Sequence, residues 1–374
     1  MQKYNILVTG GAGFIGSHLV DALVEKGHQV RILDSLVEQV HGTTVPAHLN
    51  KNAEFIRADV CDAEAVRAAL DGIDVIYHEA AEVGVGQSMY EIVRYVKAND
   101  LGTAVLLEEV VKRPEQFKKL VVASSMSIYG EGAYRCETCN ETINPFLRPG
   151  EQLAAHEWEF VCEKCGGELI PLGTTEAKPL FPTSVYAVSK QDQEQYCLAV
   201  GRAYKIPTVA FRYFNVYGTR QALSNPYTGV CAIFSSRLLN DQSPMIFEDG
   251  EQTRDFVHVN DIVQANLLAL EKSEADYRVF NIGTGHATSV KQIAQALAKG
   301  LGKDIEPTIV GKYREGDIRH CVADISAARK CLGYEPTVDL EDGLRELLAW
   351  VREQDAEDRV ESATAELAAH QLVK

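Results

Sequence analysis

The sequence predicts an α/β chain built on a doubly wound parallel sheet and interrupted by a four-cysteine ribbon. Three observations carry this. The chain opens as strand, glycine-rich turn and helix, "YNILVTG" followed by "GGAGFIGSHLVDALVEKGH". Short β-rich runs then alternate with stretches of helical spacing, the pattern of parallel strands joined by crossover helices. Two Cys-x-x-Cys pairs, Cys136/Cys139 and Cys162/Cys165, stand with 22 residues between them.

In chain order, "QVRILD" reads as the second strand, and "AEFIRADVCD", "DVIYHEAA" and "KLVVASSMSIYG" as further strands. "AEAVRAALDG" and "YVKANDLGTAVLLEEVVKR" read as the helices between them. "TVAFRYFNVYG" and "RVFNIGTG" read as later strands of the same or an adjoining layer. The Ala/Glu-rich tail from about Asp355 reads as a loose helix or a disordered end and is assigned no function. At 374 residues the chain has room for one large α/β domain and a smaller one.

Composition excludes several classes. No apolar run is long enough to span a bilayer, and the start "MQKYNILVTGG" lacks the pattern of a signal peptide. A net charge of −16 argues against a nucleic-acid groove and fits a soluble acidic surface. Nine cysteines, an odd number, in a chain with no export signal point to the reducing cytoplasm.

The opening turn supplies Gly10, Gly13 and Gly16, so the backbone can approach a pyrophosphate at a helix N-terminus. Asp34 ends the second strand, 18 residues after Gly16, where a carboxylate bonds a ribose 2′-hydroxyl and repels a 2′-phosphate. NAD is therefore favoured over NADP. Asp59, ending the third strand in "RADV", is spaced to meet the adenine. In "SVYAVSK", Tyr186 and Lys190 are four residues apart on one helical face. A free tyrosine, with a pKa of about 10, is a poor base, and a lysine charge beside it lowers that value. The hydroxyls of "SSMSIYG" add hydrogen-bond donors near the same end of the sheet.

Together, "TGGAGFIGSHL", "HEAA", "NDLGT", "SSMSIYG", "YAVSK", "RYFNVYG", "TRDFVHVND" and "NIGTG" resemble the extended short-chain dehydrogenase/reductases, the NAD-dependent epimerase/dehydratase family acting on nucleotide sugars. The resemblance covers roughly residues 5–350. It implies a Rossmann-type NAD domain over 1–211 with the ribbon inserted at 131–180, a smaller substrate-binding lobe mainly over 212–353 with some strands returning to the sheet, and a tail at 354–374. It implies catalytic roles for Ser125, Tyr186 and Lys190. It implies cofactor contacts from Gly10, Gly13, Phe14, Ile15, Gly16, Asp34, Asp59, Val60, Ala80 and Asn99, together with Tyr186 and Lys190. Ser127, Asn215, Arg254 and Asp317 match substrate positions, and Arg220 and Arg314 could add bidentate charge to a diphosphate. A homodimer is implied through two helices per subunit, and Tyr196, Val200 and Ala203 offer one such face.

The family shares a first step, in which the tyrosine takes a sugar hydroxyl proton as NAD takes the hydride. Family dehydratases carry Asp-Glu after the catalytic Ser/Thr, but here Met126 and Ser127 follow Ser125. That favours 4-epimerisation, provided that no carboxylate arrives from Glu79, Glu82 or Glu131. A dehydratase or reductase, and a non-catalytic NAD-binding scaffold, are the competing readings. The ribbon's place, with "VGVGQSMYEIVRYVKAND" and "RQALSNPYTGV", is similar to the epimerase subgroup assigned to dTDP-L-rhamnose. UDP-glucose, UDP-glucuronate and GDP-sugars stay open.

Four thiolates in two Cys-x-x-Cys pairs suit a closed tetrahedral zinc with no vacancy for substrate, so the ribbon is expected to be structural. His156 could replace one cysteine. Cys61, Cys197, Cys231, Cys321 and Cys331 are expected to pack as small apolar residues.

Overall fold

The computed structural model describes residues 2–374. Seven parallel strands form the main sheet in the spatial order Arg278–Ile282, Thr208–Tyr213, Lys119–Ser125, Val75–His78, Asn5–Thr9, Gln29–Asp34, Glu54–Arg57. The order reverses beside the first strand, which creates a crevice at the carboxyl ends of the strands.

Both faces of this sheet are buried, so its strands are nearly continuous in apolar residues. Alternate residues divide between two cores. Ile6, Val8, Ile32, Val121 and Phe211 pack with Leu19 of helix Phe14–Glu25 and Ile262 of helix Val259–Glu271. Leu7, Leu33, Leu120, Val122 and Ala210 pack on the other face with Leu106 of helix Gly102–Val110 and Cys197 of helix Val185–Tyr204. The two later strands left open by the sequence both join this sheet. The stretch predicted as one helix from Tyr95 to Arg113 is broken by a π-helical turn at Val96–Leu101, which turns Asn99 inward.

The smaller lobe packs helices Val230–Leu239, Val290–Leu301 and Leu340–Val351 around Phe234, Leu297 and Leu347. A second, six-stranded sheet runs Thr288–Ser289, Thr253–Arg254, His320–Ala323, Leu169–Thr174, Ala133–Cys136, Glu141–Ile143. Its last three strands belong to the cysteine insertion and the others to the lobe. The insertion lies within the cofactor domain in sequence, and its strand Leu169–Thr174 pairs with His320–Ala323 of the lobe.

A buried charge network seals that junction. Arg148 of the insertion grips Glu248 with both terminal nitrogens, at 2.9 and 2.8 Å. Arg319 of the lobe bonds Glu159 of the insertion at 2.8 Å, Asp249 at 2.7 Å and Glu248 at 3.1 Å. The carboxylate of Glu131 accepts the backbone N–H groups of Arg319 and His320 and the hydroxyl of Tyr134, each at 2.7 Å.

The tail is ordered, with a helix at Val360–Ala369. Among the described residues, no helix is long and apolar enough to cross a membrane.

Candidate active site

The predicted residues gather where the parallel strands end. Gly10 follows the first strand with φ of +70°, a backbone state that disfavours a side chain. A Cβ there would lie 2.7 Å from the backbone N of Ala80, and one on Gly16 would lie 2.2 Å from the oxygen of Gly10. This is close backbone packing with no room for larger residues. Helix Phe14–Glu25 begins at Gly13 with no side-chain cap, so its first N–H groups remain free for an anion. The cradle fits the pyrophosphate of a dinucleotide.

Asp34 ends its strand and accepts the N–H groups of Ala12 at 3.0 Å and Leu36 at 2.9 Å. Those two bonds fix the carboxylate and leave lone pairs for a ribose. Asp59 stays half exposed and accepts the N–H of Cys61 at 2.9 Å, and Val60 packs against Gly102. Asn99 accepts the Glu82 N–H at 2.7 Å and donates to Ser189 Oγ at 2.8 Å, which ties the π-turn to the tyrosine helix. Phe14 faces the cleft, whereas Ile15 packs against the sheet core.

Ser125 is the last residue of its strand and caps the short turn after it, accepting the Ser127 N–H at 3.2 Å. Ser127 Oγ donates to Ser125 Oγ at 2.9 Å. Helix Val185–Tyr204 is capped by Ser184, whose hydroxyl accepts the Ala187 N–H at 3.1 Å. That cap places Tyr186 in the first turn, partly buried at the cleft, and Lys190 one turn later, fully buried. The Tyr186 N–H donates to Ser88 Oγ at 3.0 Å. Lys190 Nζ donates to Gln193 Oε1 at 2.8 Å. Burial pushes the Tyr186 phenol up, and the Ser125 hydroxyl draws it back down. Burial holds the Lys190 ammonium below the usual lysine range, opposed by the charge of Glu79.

Ser125, Ser127 and Tyr186 open into a cleft of about 490 Å³ that runs to the smaller lobe. Asn215, Arg254, Arg314 and Asp317 also line it. The Asn215 side-chain oxygen is buried without a partner, as expected of an acceptor awaiting a ligand. Arg254 donates to the carbonyls of Thr253, Arg319 and Ile318. Arg314 pairs with Asp317 at 2.7 Å and lies over the Phe247 ring. Arg220 does not line this cleft; it pairs with Asp21 of the glycine-turn helix at 2.8 Å.

The three carboxylates that could have supplied elimination chemistry are engaged away from the cleft. Glu82 pairs with Arg94 at 2.8 Å, and Glu131 is enclosed by the lobe contacts described above. Glu79 accepts the Tyr213 hydroxyl at 2.9 Å, and burial raises its pKa.

In the ribbon, Cys136, Cys139, Cys162 and Cys165 bring their sulfurs within 4.8 Å of one another. Cys136 and Cys165 Sγ are 3.5 Å apart, and Cys139 and Cys162 Sγ are 3.9 Å apart. A tetrahedron with metal–sulfur bonds of about 2.3 Å has edges of about 3.8 Å, so the donor set fits zinc. His156 stands apart, edge-on to Trp158. Of the other cysteines, Cys197, Cys231 and Cys321 are buried, and Cys61 and Cys331 are partly buried.

Sequence reasoning missed Phe247, Gln221 and the tail, all of which line the cleft. The apolar spacing of Val360, Ala363 and Leu367 was the signal available for the tail.

Comparison with known proteins accords with this geometry. The chain matches the NAD dependent epimerase/dehydratase family over residues 6–156 and 166–283. It is 37% identical to the dTDP-L-rhamnose 4-epimerase of Burkholderia thailandensis over 93% of this chain and 95% of that one. It is also similar to the crystal structure of UDP-glucose 4-epimerase with UDP-glucose from Thermotoga maritima, at 35% identity, TM-score 0.76, and coverage of 93% of this chain and 99% of that one. The UDP-glucuronic acid 4-epimerase of Bacillus cereus in complex with UDP-glucuronic acid and NAD is 30% identical, with TM-score 0.76 and the same coverage. The chain belongs to the NAD dependent epimerase/dehydratase family. Within it, the chain is an NAD-dependent nucleotide-sugar epimerase.

Proposed function

We propose that this enzyme inverts C4 of a nucleotide-diphosphate sugar, with dTDP-L-rhamnose as the favoured substrate. One observation carries the choice of epimerisation over dehydration. Among the described residues, every carboxylate lining the cleft is ion-paired: Glu248 with Arg148, Glu315 with Lys374 and Asp317 with Arg314. None is free beside Ser125 to protonate a leaving hydroxyl.

NAD, when bound, supplies the hydride acceptor and donor. Gly10, Gly13, Gly16 and the helix they start would hold its pyrophosphate, and Asp34 its adenosine ribose. Tyr186 takes the proton of the C4 hydroxyl through its phenolic oxygen. Lys190, one turn away, stabilises the phenolate by its charge, and Ser125 donates a hydrogen bond to the reacting oxygen. Asn215, Arg254 and Arg314 hold the nucleotide diphosphate while the keto sugar presents its other face. The similarity to the Burkholderia enzyme supports dTDP-L-rhamnose. Incubation with dTDP-L-rhamnose, UDP-glucose and UDP-glucuronate, read by NMR for C4 inversion, tests this. Net NADH release, or a 4-keto-6-deoxy product, overturns it.

The ribbon's metal is proposed to be one structural zinc held by Cys136, Cys139, Cys162 and Cys165. The ribbon core has only Tyr134, Cys136, Phe160, Cys162 and Leu169 as buried residues, too few to fold without a metal. A cytoplasmic homodimer completes the proposal. Tyr196 and Tyr204 on the tyrosine helix, with Val96 and Leu101 on its neighbour, leave an exposed apolar face that supports it.

A further inference from the structure

The last residues of the chain cross the cleft from end to end. Val360, Ala363, Thr364 and Leu367 of the terminal helix line it, as does Leu372 beyond. Three attachments hold this segment. At its start Arg237 bonds Asp358 at 3.1 Å. At its middle the Tyr227 hydroxyl donates to Glu366 at 2.8 Å and lies 2.6 Å from the Tyr90 hydroxyl, and His370 stacks on Tyr90 at 4.5 Å. At its end Tyr313 and Lys374 exchange two backbone hydrogen bonds of 3.0 Å, and the Glu315 N–H donates to Leu372.

These attachments locate the segment along the cleft. Leu367 packs on Gly86, where a Cβ would come within 3.1 Å of its methyl. Gly86 lies two residues from Ser88, which holds the backbone of Tyr186, so Leu367 belongs to the reacting end. Leu372 lies beside Arg314 and Asp317, the diphosphate end.

The charges divide the same way. Among the described residues, the cations lining the cleft are Arg254 and Arg314, both at the diphosphate end. The reacting end is walled by Val83, Val85, Met89 and Leu367, with Glu366 close behind. A sugar carboxylate would be desolvated there without a partner.

We infer that the C-terminal segment, residues 356–374, forms the outer wall of the substrate cleft, and that its Leu367 face selects an uncharged substituent at C5 of the sugar. The inference rests on reading the cleft as a nucleotide-sugar site.

The test measures calorimetric binding of dTDP-L-rhamnose, UDP-glucose and UDP-glucuronate to the NAD-loaded enzyme and to a variant ending at Asp355. Binding needs no turnover, so this experiment fails separately from the assignment of the reaction. The intact enzyme should disfavour UDP-glucuronate against UDP-glucose by about 100-fold, the order expected for an unpaired buried charge. Truncation should weaken the neutral sugars at least tenfold and shrink the discrimination to a few-fold. Equal affinities in both forms would overturn the inference. Where truncation prevents folding, Leu367→Lys in the full chain serves instead. It should improve UDP-glucuronate relative to UDP-glucose, and an unchanged ratio would refute the selection.

Discussion

Glu248 holds the ribbon to the lobe, and its removal has a calculable cost. Its carboxylate is buried and accepts two bonds from Arg148 and one from Arg319, whose side chains are each 1% exposed. In Glu248→Ala, Arg319 keeps Asp249 and Glu159, but Arg148 keeps only the carbonyls of Trp158 and Asp317. That guanidinium is then buried with no carboxylate bonded to it. Breaking one side of a buried pair costs about 3–5 kcal/mol. With an unfolding entropy of ~2.1 cal/mol/K per residue, a chain of 374 residues has about 0.8 kcal/mol/K, so the midpoint should fall by about 4–6 °C. Thermal unfolding followed by circular dichroism measures this. Arg148→Met in the same background should recover most of the loss, because it removes the stranded charge and keeps the volume. A drop below about 1 °C for Glu248→Ala, or no recovery in the double variant, would refute the idea that the charge network joins the two parts.

Tyr186→Phe should abolish most turnover while the NAD content of the purified protein stays at the parent level, and Ser125→Ala should cost less; near-normal kcat for Tyr186→Phe would require another base. Elemental analysis should find one zinc per chain. Its removal by chelator should raise KM for the nucleotide sugar more than it lowers kcat, since the ribbon's hydrogen bonds run to the lobe; an apo-protein with parent KM and stability would count against a structural metal. The Glu159 carboxyl is raised by its burial but drawn down further by His320 and Arg319, to about 2 from the usual 4.5. A depressed carboxylate contributes stability that is fully present above about pH 4.5 and is lost as pH falls toward 2. Glu159→Gln should therefore flatten the acid end of the stability profile measured by urea unfolding over that window.

The sequence by itself determined the strand, glycine turn and helix at the start of the chain. Gly10, Gly13, Gly16 and Asp34 act through local geometry: a turn, a helix start and a strand end, each encoded by neighbours in the chain. The same holds for Tyr186 and Lys190, one helical turn apart, and for the two Cys-x-x-Cys turns. Tertiary structure decided what depends on partners distant in sequence. Arg220 has the same charge as Arg314, yet one meets Asp21 and the other the cleft, and no local pattern distinguishes them. The ribbon lies between two cofactor-domain segments in sequence but pairs with His320–Ala323, because the hydrogen-bonding edge of Leu169–Thr174 finds its partner some 150 residues later. The tail reads as a loose helix or a disordered end because most of its length faces solvent; that Leu367 and Leu372 line the cleft depends on distant segments. Local conformational preference is written in adjacent residues, whereas burial and charge pairing are set by whichever distant chain segment folds against them.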